Sequence, residues 1–404
     1  MAWRRNLYAV TAAGFIGFTG FTLVMPFLPL YFELLGLTDV GEIALWSGIS
    51  LGITPAITAL MAPFWGRLAD RYGRKIMVQR SLVSFVVVMA AMAFVSEPWH
   101  VLALRALQGL FAGYGALTLT MAADVAPADR TAYAIGFVQT AQRIGPALGP
   151  VIGGIVAQAV GLRNAFFVTA SFYLLAVFVV TFGYDERGVL KRSTTAQEER
   201  VTFRSVLAFE NFLLLMGVIF GLQFVDRSFG PVLPLFVAAL GTDTSRVPLL
   251  AGILFSISAG AGAIGNHLAG GLMHRAGARK VIASACGAAG AGVAGFLIAG
   301  SAWWLTIPAS ILGVAIGSAT TSAYTAASSI IPSGARGSGF GLLTTASLVG
   351  LAVSPIVSGL LGATSIRAVF AVDLLILGAL ALMVSRLMIT EPMTRTESLP
   401  TEEI

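Results

Sequence analysis

Long apolar runs alternate with short polar turns along this chain, and the pattern predicts a protein that crosses a membrane many times. A helix needs about 20 residues to cross a bilayer, and twelve runs are long enough. We number them spans 1–12, with predicted bounds 7–35, 43–65, 76–95, 99–121, 133–158, 163–183, 207–240, 249–270, 281–300, 303–330, 339–362 and 367–388. Span 1 is too long for the core of a signal peptide, which has about 7–15 residues. We therefore interpret it as an uncleaved membrane span.

The second half of the chain repeats the first at a constant offset of roughly half its length. The charged turn Gly66–Lys75, between spans 2 and 3, has a near copy at Gly270–Lys280. The proline-rich end of span 1, Pro26–Leu30, recurs at the end of span 7 as Pro231–Leu235. Six spans were therefore duplicated in the same orientation. The axis that relates such halves runs along the membrane normal, and we expect a pathway between them.

The longest polar stretch inside the chain divides it into two predicted bundles. We expect an N-terminal six-helix bundle at 1–184, a linker at 185–205, a C-terminal six-helix bundle at 206–390 and a polar tail at 391–404. The predicted fold class is therefore all-α, with twelve transmembrane helices in two pseudo-symmetric bundles.

The distribution of Lys and Arg predicts the orientation, because cytoplasmic loops carry an excess of both. With the N-terminus in the cytoplasm, only three of the 25 basic residues lie in outer loops: Arg163, Arg246 and Arg367. Three more lie inside spans: Arg105, Arg143 and Arg227. The remaining basic residues fall on the cytoplasmic side. We predict a multi-pass protein of the bacterial cytoplasmic membrane with both termini in the cytoplasm.

Composition agrees with a bilayer protein and excludes several other classes. The chain is 57% hydrophobic and 11% charged, with a mean hydropathy of +0.86, whereas a soluble domain is about 25% charged. The net charge of +6 sits in short turns, so we expect no nucleic-acid partner. A single cysteine, Cys286, allows neither an intrachain disulfide nor a cysteine-based metal site. No metal-ligand spacing, nucleophile–base set or phosphate-binding loop occurs in the sequence. We therefore expect a protein that has no cofactor and is not an enzyme. We also expect it to be a monomer.

Span 7 carries the most informative polar residues. Gln223, Asp226, Arg227 and Gly230 share one helical face, because they are spaced i, i+3, i+4 and i+7. Asp226 lies near the predicted midplane, where a lone charge costs at least about 2.5–3.5 kcal/mol. We therefore expect Asp226 to face water and to be the carboxyl that takes up protons. The alternative is that Arg227 or another arginine keeps it ionised as a structural pair.

A second candidate carboxyl is Asp373, near the outer end of span 12. For this residue we expect pairing with Arg367 or contact with lipid headgroups rather than a role in transport.

Span 1 presents a contrasting face to the predicted pathway. The positions that align with the polar face of span 7 are Phe18, Phe21 and Thr22, and Met25 extends that face by one turn. Apolar and aromatic surface with a few polar groups is typical of a small-molecule cavity, and Met adapts to varied ligands. The alternative for each aromatic residue is ordinary helix or lipid packing. Tyr324 in span 10 is a further candidate substrate contact, and the alternative is that its hydroxyl bonds a neighbouring helix.

Span 5 has a polar face made of Gln139, Gln142 and Arg143, which we expect to line the pathway. Arg143 is predicted to contact substrate, or alternatively to pair with Asp226. Three interior arginines against one interior carboxylate favour a neutral, zwitterionic or anionic substrate that is partly apolar.

Three motifs resemble those of the major facilitator superfamily, and the resemblance covers nearly the whole chain. The turn Gly66–Lys75 resembles its G-x-L-a-D-r-x-G-r-k motif, and Arg105–Gly109 resembles its R-x-x-q-G motif. The run Gly145–Gly154 is similar to the g-x-x-x-G-P-x-x-G-G motif of the drug/proton antiporters, the twelve-span exporters of that superfamily. The resemblance implies proton-driven export of small amphipathic compounds by alternating access. The alternative is a dedicated exporter of one metabolite, siderophore or lipid-like molecule.

The resemblance also implies roles for individual residues. Arg105 would assist proton transfer by modulating a nearby carboxylate, although a structural bridge to backbone carbonyls is the alternative; Gln108, on the same face, is a candidate substrate contact. A helix-packing motif is expected in span 5: Gly145, Gly149, Pro150, Gly153 and Gly154. Its glycine stripe, Gly145, Gly149 and Gly153, is expected to contact span 8. A latch between spans 2, 4 and 11 is expected to lock an outward-facing state: Gly66, Asp70, Arg71, Gly73, Arg74 and Asp124. The alternative for its basic residues is that they only enforce topology.

Overall fold

The computed structural model describes residues 2–127, 130–185, 209–331 and 336–389, apart from the Asp70 side chain and a few others. Within these ranges the chain forms fourteen α-helices and a short 3₁₀ helix at Ala302–Leu305. The helices of the first half are α1 Ala2–Leu23, α2 Leu28–Leu34, α3 Val40–Tyr72, α4 Arg74–Met92, α5 Pro98–Phe111, α6 Tyr114–Val125, α7 Thr131–Val160 and α8 Leu162–Gly183. Those of the second half are α9 Phe212–Ala239, α10 Val247–Ala276, α11 Ala278–Ile298, α12 Thr306–Ile330, α13 Arg336–Gly362 and α14 Ile366–Leu387.

Twelve helical segments in the described ranges are long and apolar enough to cross a membrane, which confirms the predicted fold class. Most of the predicted linker 185–205 and nearly all of the tail 391–404 lie outside the described residues. The predicted division into two domains and the orientation of the termini therefore stay predictions.

Two predicted spans are each built from two helices. Span 1 breaks after Leu23, and α2 begins again at Leu28 with a proline in its first turn. A proline there is favourable, because it lacks only an N–H that would have no helical partner. Span 4 breaks between α5 and α6 at Gly113, whose φ of 126° lies in the region open mainly to glycine.

The duplicated charged turns adopt matching conformations. Gly73 joins α3 to α4 with φ 98°, and Gly277 joins α10 to α11 with φ 78°. Each glycine N–H bonds a carbonyl of the preceding helix, from Ala69 and Met273 respectively. One turn follows the second span and the other the eighth, so both lie at the same end of the helix bundle, which we call the basic end.

The two halves are packed tightly at the other end, which we call the sealed end. A Cβ built on Gly48 of α3 would lie 2.7 Å from Cα of Gly359 on α13. A Cβ built on Gly154 of α7 would lie 2.8 Å from Cα of Leu249 on α10. We call these the two glycine seams, because only residues without a side chain let the backbones approach so closely.

Toward the basic end, glycines of the same four helices have no close neighbour. A Cβ built on any of four glycines there would meet no described atom of another helix within 4 Å: Gly66, Gly136, Gly270 and Gly341. At these four positions the helices therefore make none of the close contacts that form the glycine seams.

Candidate translocation cavity

A cavity lies between the two halves, below the sealed end. Its volume is about 100 Å³, which is smaller than the roughly 300–1,000 Å³ that ligand pockets commonly measure, so in this conformation the cavity is narrow. Its wall is lined by Thr22, Met25, Pro146, Pro150, Asp226, Arg227, Phe229, Leu233, Leu254, Phe255, Ser258, Ala259, Phe296, Ala309 and Leu312. The lining is therefore mostly apolar, with one acidic and one basic side chain.

An aromatic cluster supports one side of this wall. The ring centroid of Phe229 on α9 lies 4.9 Å from that of Phe296 on α11 and 5.3 Å from that of Phe370 on α14. Phe296 and Phe370 are in turn 5.6 Å apart. Interlocked rings of this kind lose little further freedom when a ligand binds, so they present a rigid apolar surface.

Asp226 and Arg227 form the charged part of the lining. Oδ2 of Asp226 lies 3.1 Å from Nε of Arg227, and the two side chains are 37% and 31% exposed. This contact matches the alternative in which Asp226 and Arg227 form a structural pair. Because both side chains remain partly exposed, water from the cavity can still reach the carboxylate.

Arg143 does not pair with Asp226 in the described part of the chain. Its Nη1 donates to the Asn266 amide oxygen at 3.1 Å, with the amide oriented so that its nitrogen donates to Thr321 Oγ1 at 2.9 Å. Tyr324 on α12 lies near Arg143 and interacts with Ser347. These side chains connect α7 of the first half to α10 and α12 of the second. Sequence reasoning missed Asn266, although an amide inside the apolar run of span 8 was a visible signal.

Several predicted substrate contacts are instead used inside the first half. Gln108 is fully buried, and its Oε1 accepts from Nη1 of Arg105 at 3.0 Å, so the structure does not support a substrate contact by Gln108. Gln142 Nε2 donates to Thr118 Oγ1 at 2.8 Å and to the Gly115 carbonyl at 3.0 Å, which ties α7 to α6. The Phe18 ring packs against Tyr114 at 5.3 Å.

The remaining candidates are divided between the cavity wall and its surroundings. Thr22 and Met25 line the cavity together with Asp226 and Arg227. Phe21 and Gln223 are half-buried, and Gln139 is exposed on α7. Gly230 packs against Met25 and Leu51, and Gln223 lies against Gly350 of α13.

Arg105 is 2% exposed and does not line the cavity. Its backbone carbonyl accepts from Thr54 Oγ1 at 2.9 Å, and its guanidinium lies near Tyr173. The carboxylate expected beside it is absent from the ion pairs of the described residues. Arg105 is therefore placed in the interior of the first half, and the structure does not bring it to Asp226.

The predicted glycine stripe has a different neighbour from the one expected. Cβ atoms built on Gly145 and Gly149 would lie 2.9 Å from the Phe15 carbonyl oxygen and 2.6 Å from that of Thr19, both on α1. Gly153 likewise faces Leu23. The stripe Gly145, Gly149 and Gly153 therefore packs against span 1 and not, as expected, against span 8. These glycines lie on the face of α7 turned to α1, and a different face of α7 contacts α10.

The other two members of the packing motif, Pro150 and Gly154, contact span 8. A Cβ on Gly154 would crowd Pro248 and Leu249 of α10, and Pro150 faces Gly252 of the same helix. The motif therefore serves two helices, one in each half.

The latch residues lie at the basic end. Arg74, in the first turn of α4, forms an ion pair with Asp124 at the end of α6. The Arg71 guanidinium lies 5.3 Å from the centroid of the Tyr72 ring, and the Asp70 side chain lies outside the described residues. The observed ion pair joins spans 3 and 4 within the first half. The contact of α3 with α13 through Gly48 is at the sealed end, away from Gly66.

Asp373 differs most from its expected surroundings. It is fully buried, and Oδ2 lies 2.5 Å from Oγ of Ser228 on α9. Among the described residues its partner is Ser228 rather than Arg367, and its burial between helices keeps it from lipid headgroups. Asp226 is consequently not the only carboxyl inside the membrane-spanning part of the chain.

Comparison with known proteins agrees with this architecture. The Major Facilitator Superfamily model matches residues 10–349 and 297–404. The multidrug resistance protein MdtG of Proteus mirabilis is 34% identical over 281 residues, 70% of each chain. The protein of the same name from Escherichia coli is 36% identical over 287 residues, which cover 70% of this chain and 69% of that protein.

Solved structures show the same fold at lower identity. A bacterial homolog to the human lysosomal transporter Spinster, in an inward-facing and unoccupied conformation, superposes with a TM-score of 0.77 at 17% identity and covers 96% of this chain and 98% of its own. The inward-facing and occupied form gives 0.75 at 16% identity, with 94% and 96% covered. Matching motifs, twelve spans and these relatives together lead to one conclusion: the chain belongs to the major facilitator superfamily and is a multi-pass transporter of the cell membrane, not an enzyme.

Proposed function

We propose that this chain is a proton-coupled exporter of small amphipathic compounds that works by alternating access. The single observation that carries the proposal is the cavity between the halves, apolar over most of its wall and charged only at Asp226 and Arg227. Such a surface suits compounds that bind by shape and apolar area rather than by a fixed set of hydrogen bonds. The relatives called multidrug resistance proteins support a broad range of substrates.

Two features support alternating access. The glycine seams hold the sealed end by backbone contacts, whereas four glycines of the same helices at the basic end make no such contact. In the proposed cycle, substrate enters from the basic end, the halves rock, and the cavity opens at the other end. Rocking about a central site is how repeated halves of this kind carry their substrates.

Proton coupling is assigned to Asp226, because it is the carboxyl that lines the cavity among the described residues. Protonation removes its attraction to Arg227 and changes the charge of the wall. A substrate that binds the ionised pair more tightly than the neutral acid then competes with the proton. A ligand shifts an equilibrium only by its differential affinity for the two states, and this competition supplies that difference.

The substrate class follows from the charges near the cavity. Arg143 is held by a neutral amide, and Arg227 is offset by one carboxylate. We expect neutral, zwitterionic or anionic compounds with apolar surface, and no cofactor beyond the proton gradient.

The test is wash-out of a panel of amphipathic dyes and antibiotics of each charge class from cells that express the protein. We expect faster efflux than from vector controls, and collapse of the difference when a protonophore is added. Purified protein in liposomes, with the membrane potential clamped, should then drive uphill transport from an imposed pH gradient alone. Efflux equal to the vector control for every compound would refute the proposal, and efflux of one compound class alone would favour a dedicated exporter.

A further inference from the structure

A buried carboxyl outside the cavity has an arrangement that the proposed mechanism does not use. Asp373 on α14 is 0% exposed, with Oδ2 only 2.5 Å from Oγ of Ser228 on α9. Its Oδ1 has no hydrogen-bond partner among the described residues. A buried carboxylate needs several donors or a cation to offset its desolvation, and this one has at most one hydroxyl.

The number of hydrogens available at this contact indicates whether Asp373 is a neutral acid or an ionised carboxylate. Ser228 Oγ also lies 2.8 Å from the carbonyl oxygen of Val225, a group that can only accept. A serine hydroxyl has one hydrogen to donate. If Ser228 gives it to Val225, the short contact to Asp373 requires a hydrogen from the carboxyl itself. A neutral carboxylic acid supplies that hydrogen and satisfies both contacts. An ionised Asp373 would have to take the one serine hydrogen for itself, and its Oδ1 would still have no donor among the described residues.

Among the residues that the structure describes, no basic group compensates an ionised Asp373. The ionisable side chains on the packed helices are Asp226 and Arg227 on α9 and Arg279, Lys280 and Cys286 on α11; α14 itself carries Arg367 and Arg386. None of them forms an ion pair with Asp373 within the described ranges. Arg227 is paired with Asp226, and Arg279 donates to the Ser385 carbonyl. The basic residue Arg336, on α13, has a side chain outside the described part.

The site is connected to the cavity wall through α9. Ser228 lies between Arg227 and Phe229, which both line the cavity. Phe370, one turn before Asp373 on α14, packs against Phe229 and Phe296. A change in the separation of α9 and α14 at Ser228 therefore moves the aromatic cluster that supports the wall.

We propose that Asp373 and Ser228 form a second proton-binding site, occupied in this conformation and emptied when α9 and α14 separate. On emptying, the O–H bond of the carboxylic acid breaks, the proton passes to water, and the carboxylate that remains is hydrated in the opened space. On refilling, the carboxylate takes a proton from water and α9 closes on α14. The inference deepens the proposed proton-coupled export and rests on it for its role in transport, but the site itself is testable without any substrate.

The test is infrared spectroscopy of the purified full-length protein in lipid membranes, titrated in ordinary and heavy water. A protonated carboxylic acid has a carbonyl-stretch band that shifts on deuteration. We expect this band at neutral pH in the wild type and in Asp226→Asn, and its loss in Asp373→Asn. In Ser228→Ala the band should persist at a shifted frequency, because the acid loses its hydrogen-bond partner.

Asp373→Asn is close to isosteric, and elution as a single folded species during size-exclusion chromatography checks that it folds. A band that remains unchanged in Asp373→Asn, or is absent from the wild type, would overturn the site. In liposomes that show gradient-driven export, Asp373→Asn should flatten the pH profile of transport, and an unaltered profile would overturn its coupling role. If the wild type shows no gradient-driven transport at all, the proposed function fails, while the band still decides whether Asp373 binds a proton.

Discussion

Asp226 and Asp373 show two ways in which this chain keeps an acidic side chain among transmembrane helices. Asp226 remains partly exposed in the cavity beside Arg227, so solvent and a cation both stabilise its charge. Asp373 has neither, and a serine hydroxyl is its only described hydrogen-bond partner. The same residue type can therefore serve as an accessible charge in one place and as a neutral acid in another.

At the residue scale we predict that Asp226→Asn abolishes uphill export driven by a pH gradient and leaves substrate exchange in place. The amide keeps the size of the side chain but cannot take up a proton. The measurement is transport in liposomes with and without the gradient, at equal protein content.

The matched control is Asp243→Asn. Hydrogen bonds from the backbone N–H and the hydroxyl of Ser245 lower the pKa of Asp243, so that this loop carboxylate stays ionised across the physiological range. It should behave as the wild type. Full gradient-driven export by Asp226→Asn would rule out the assigned role.

The sequence alone was sufficient to predict that Asp226 faces the cavity, because a charge inside an apolar run is conspicuous. It was not sufficient for Gln108, because helical spacing shows which residues share a face but not whether that face meets the cavity or another helix. The sequence also did not predict that Asp373 pairs with Ser228, because the two residues are 145 positions apart. That contact depends on how α9 and α14 are rotated, and an isolated serine carries no signal of it.

At the element scale, glycine position distinguishes two parts of the same helix. Gly359 of α13 is packed against α3, and a Cβ there would lie 2.7 Å from the Ala44 carbonyl oxygen. Gly341, nearer the start of α13, has no described atom of another helix within 4 Å of its Cβ position. The duplicated motifs predicted helix contacts from the sequence, but only the packed helices show which glycines close the sealed end.

We therefore predict that Gly359→Val destabilises the conformation seen here by about 1–3 kcal/mol, the usual cost of overpacking. Thermal unfolding of the purified protein should occur at a lower temperature, and export should slow. Gly341→Val makes the same change in the same helix without crowding another one, so it controls for the helix propensity of valine. Equal thermal stability of the two variants would contradict the assignment of a seam at Gly359.

At the scale of the whole molecule, the halves are in closer contact at the sealed end than at the basic end. Along α7 and α10, Val151 N donates to Ser256 Oγ at 3.1 Å toward the sealed end. A Cβ built on Gly136 or Gly270, toward the basic end, would have no described neighbour from another helix within 4 Å. Pseudo-symmetric halves were predictable from the repeat. The conformational state was not, because one sequence encodes every state of the cycle.

We predict that a short thiol cross-linker joins Val151→Cys to Ser256→Cys in a Cys286→Ala background and stops export. The cross-link would hold the sealed end together and prevent the cavity from opening there. The same reagent should not join Gly136→Cys to Gly270→Cys in this state. Cross-linking is measured by the shift of a proteolytically split chain on gels, and export by dye efflux from the same cells. Wild-type efflux by the fully cross-linked protein would contradict alternating access.

The glycine seams have a consequence for how such a protein can diversify. Contacts made by bare main chain do not depend on the side chains that line the cavity, so the pivot and the recognition surface can change independently. Selection for resistance to a new compound should therefore collect substitutions at Thr22, Met25, Phe255 and Phe296 and spare Gly48, Gly154 and Gly359. The breadth of what is carried and the ability to move at all would then be separate heritable traits of one chain.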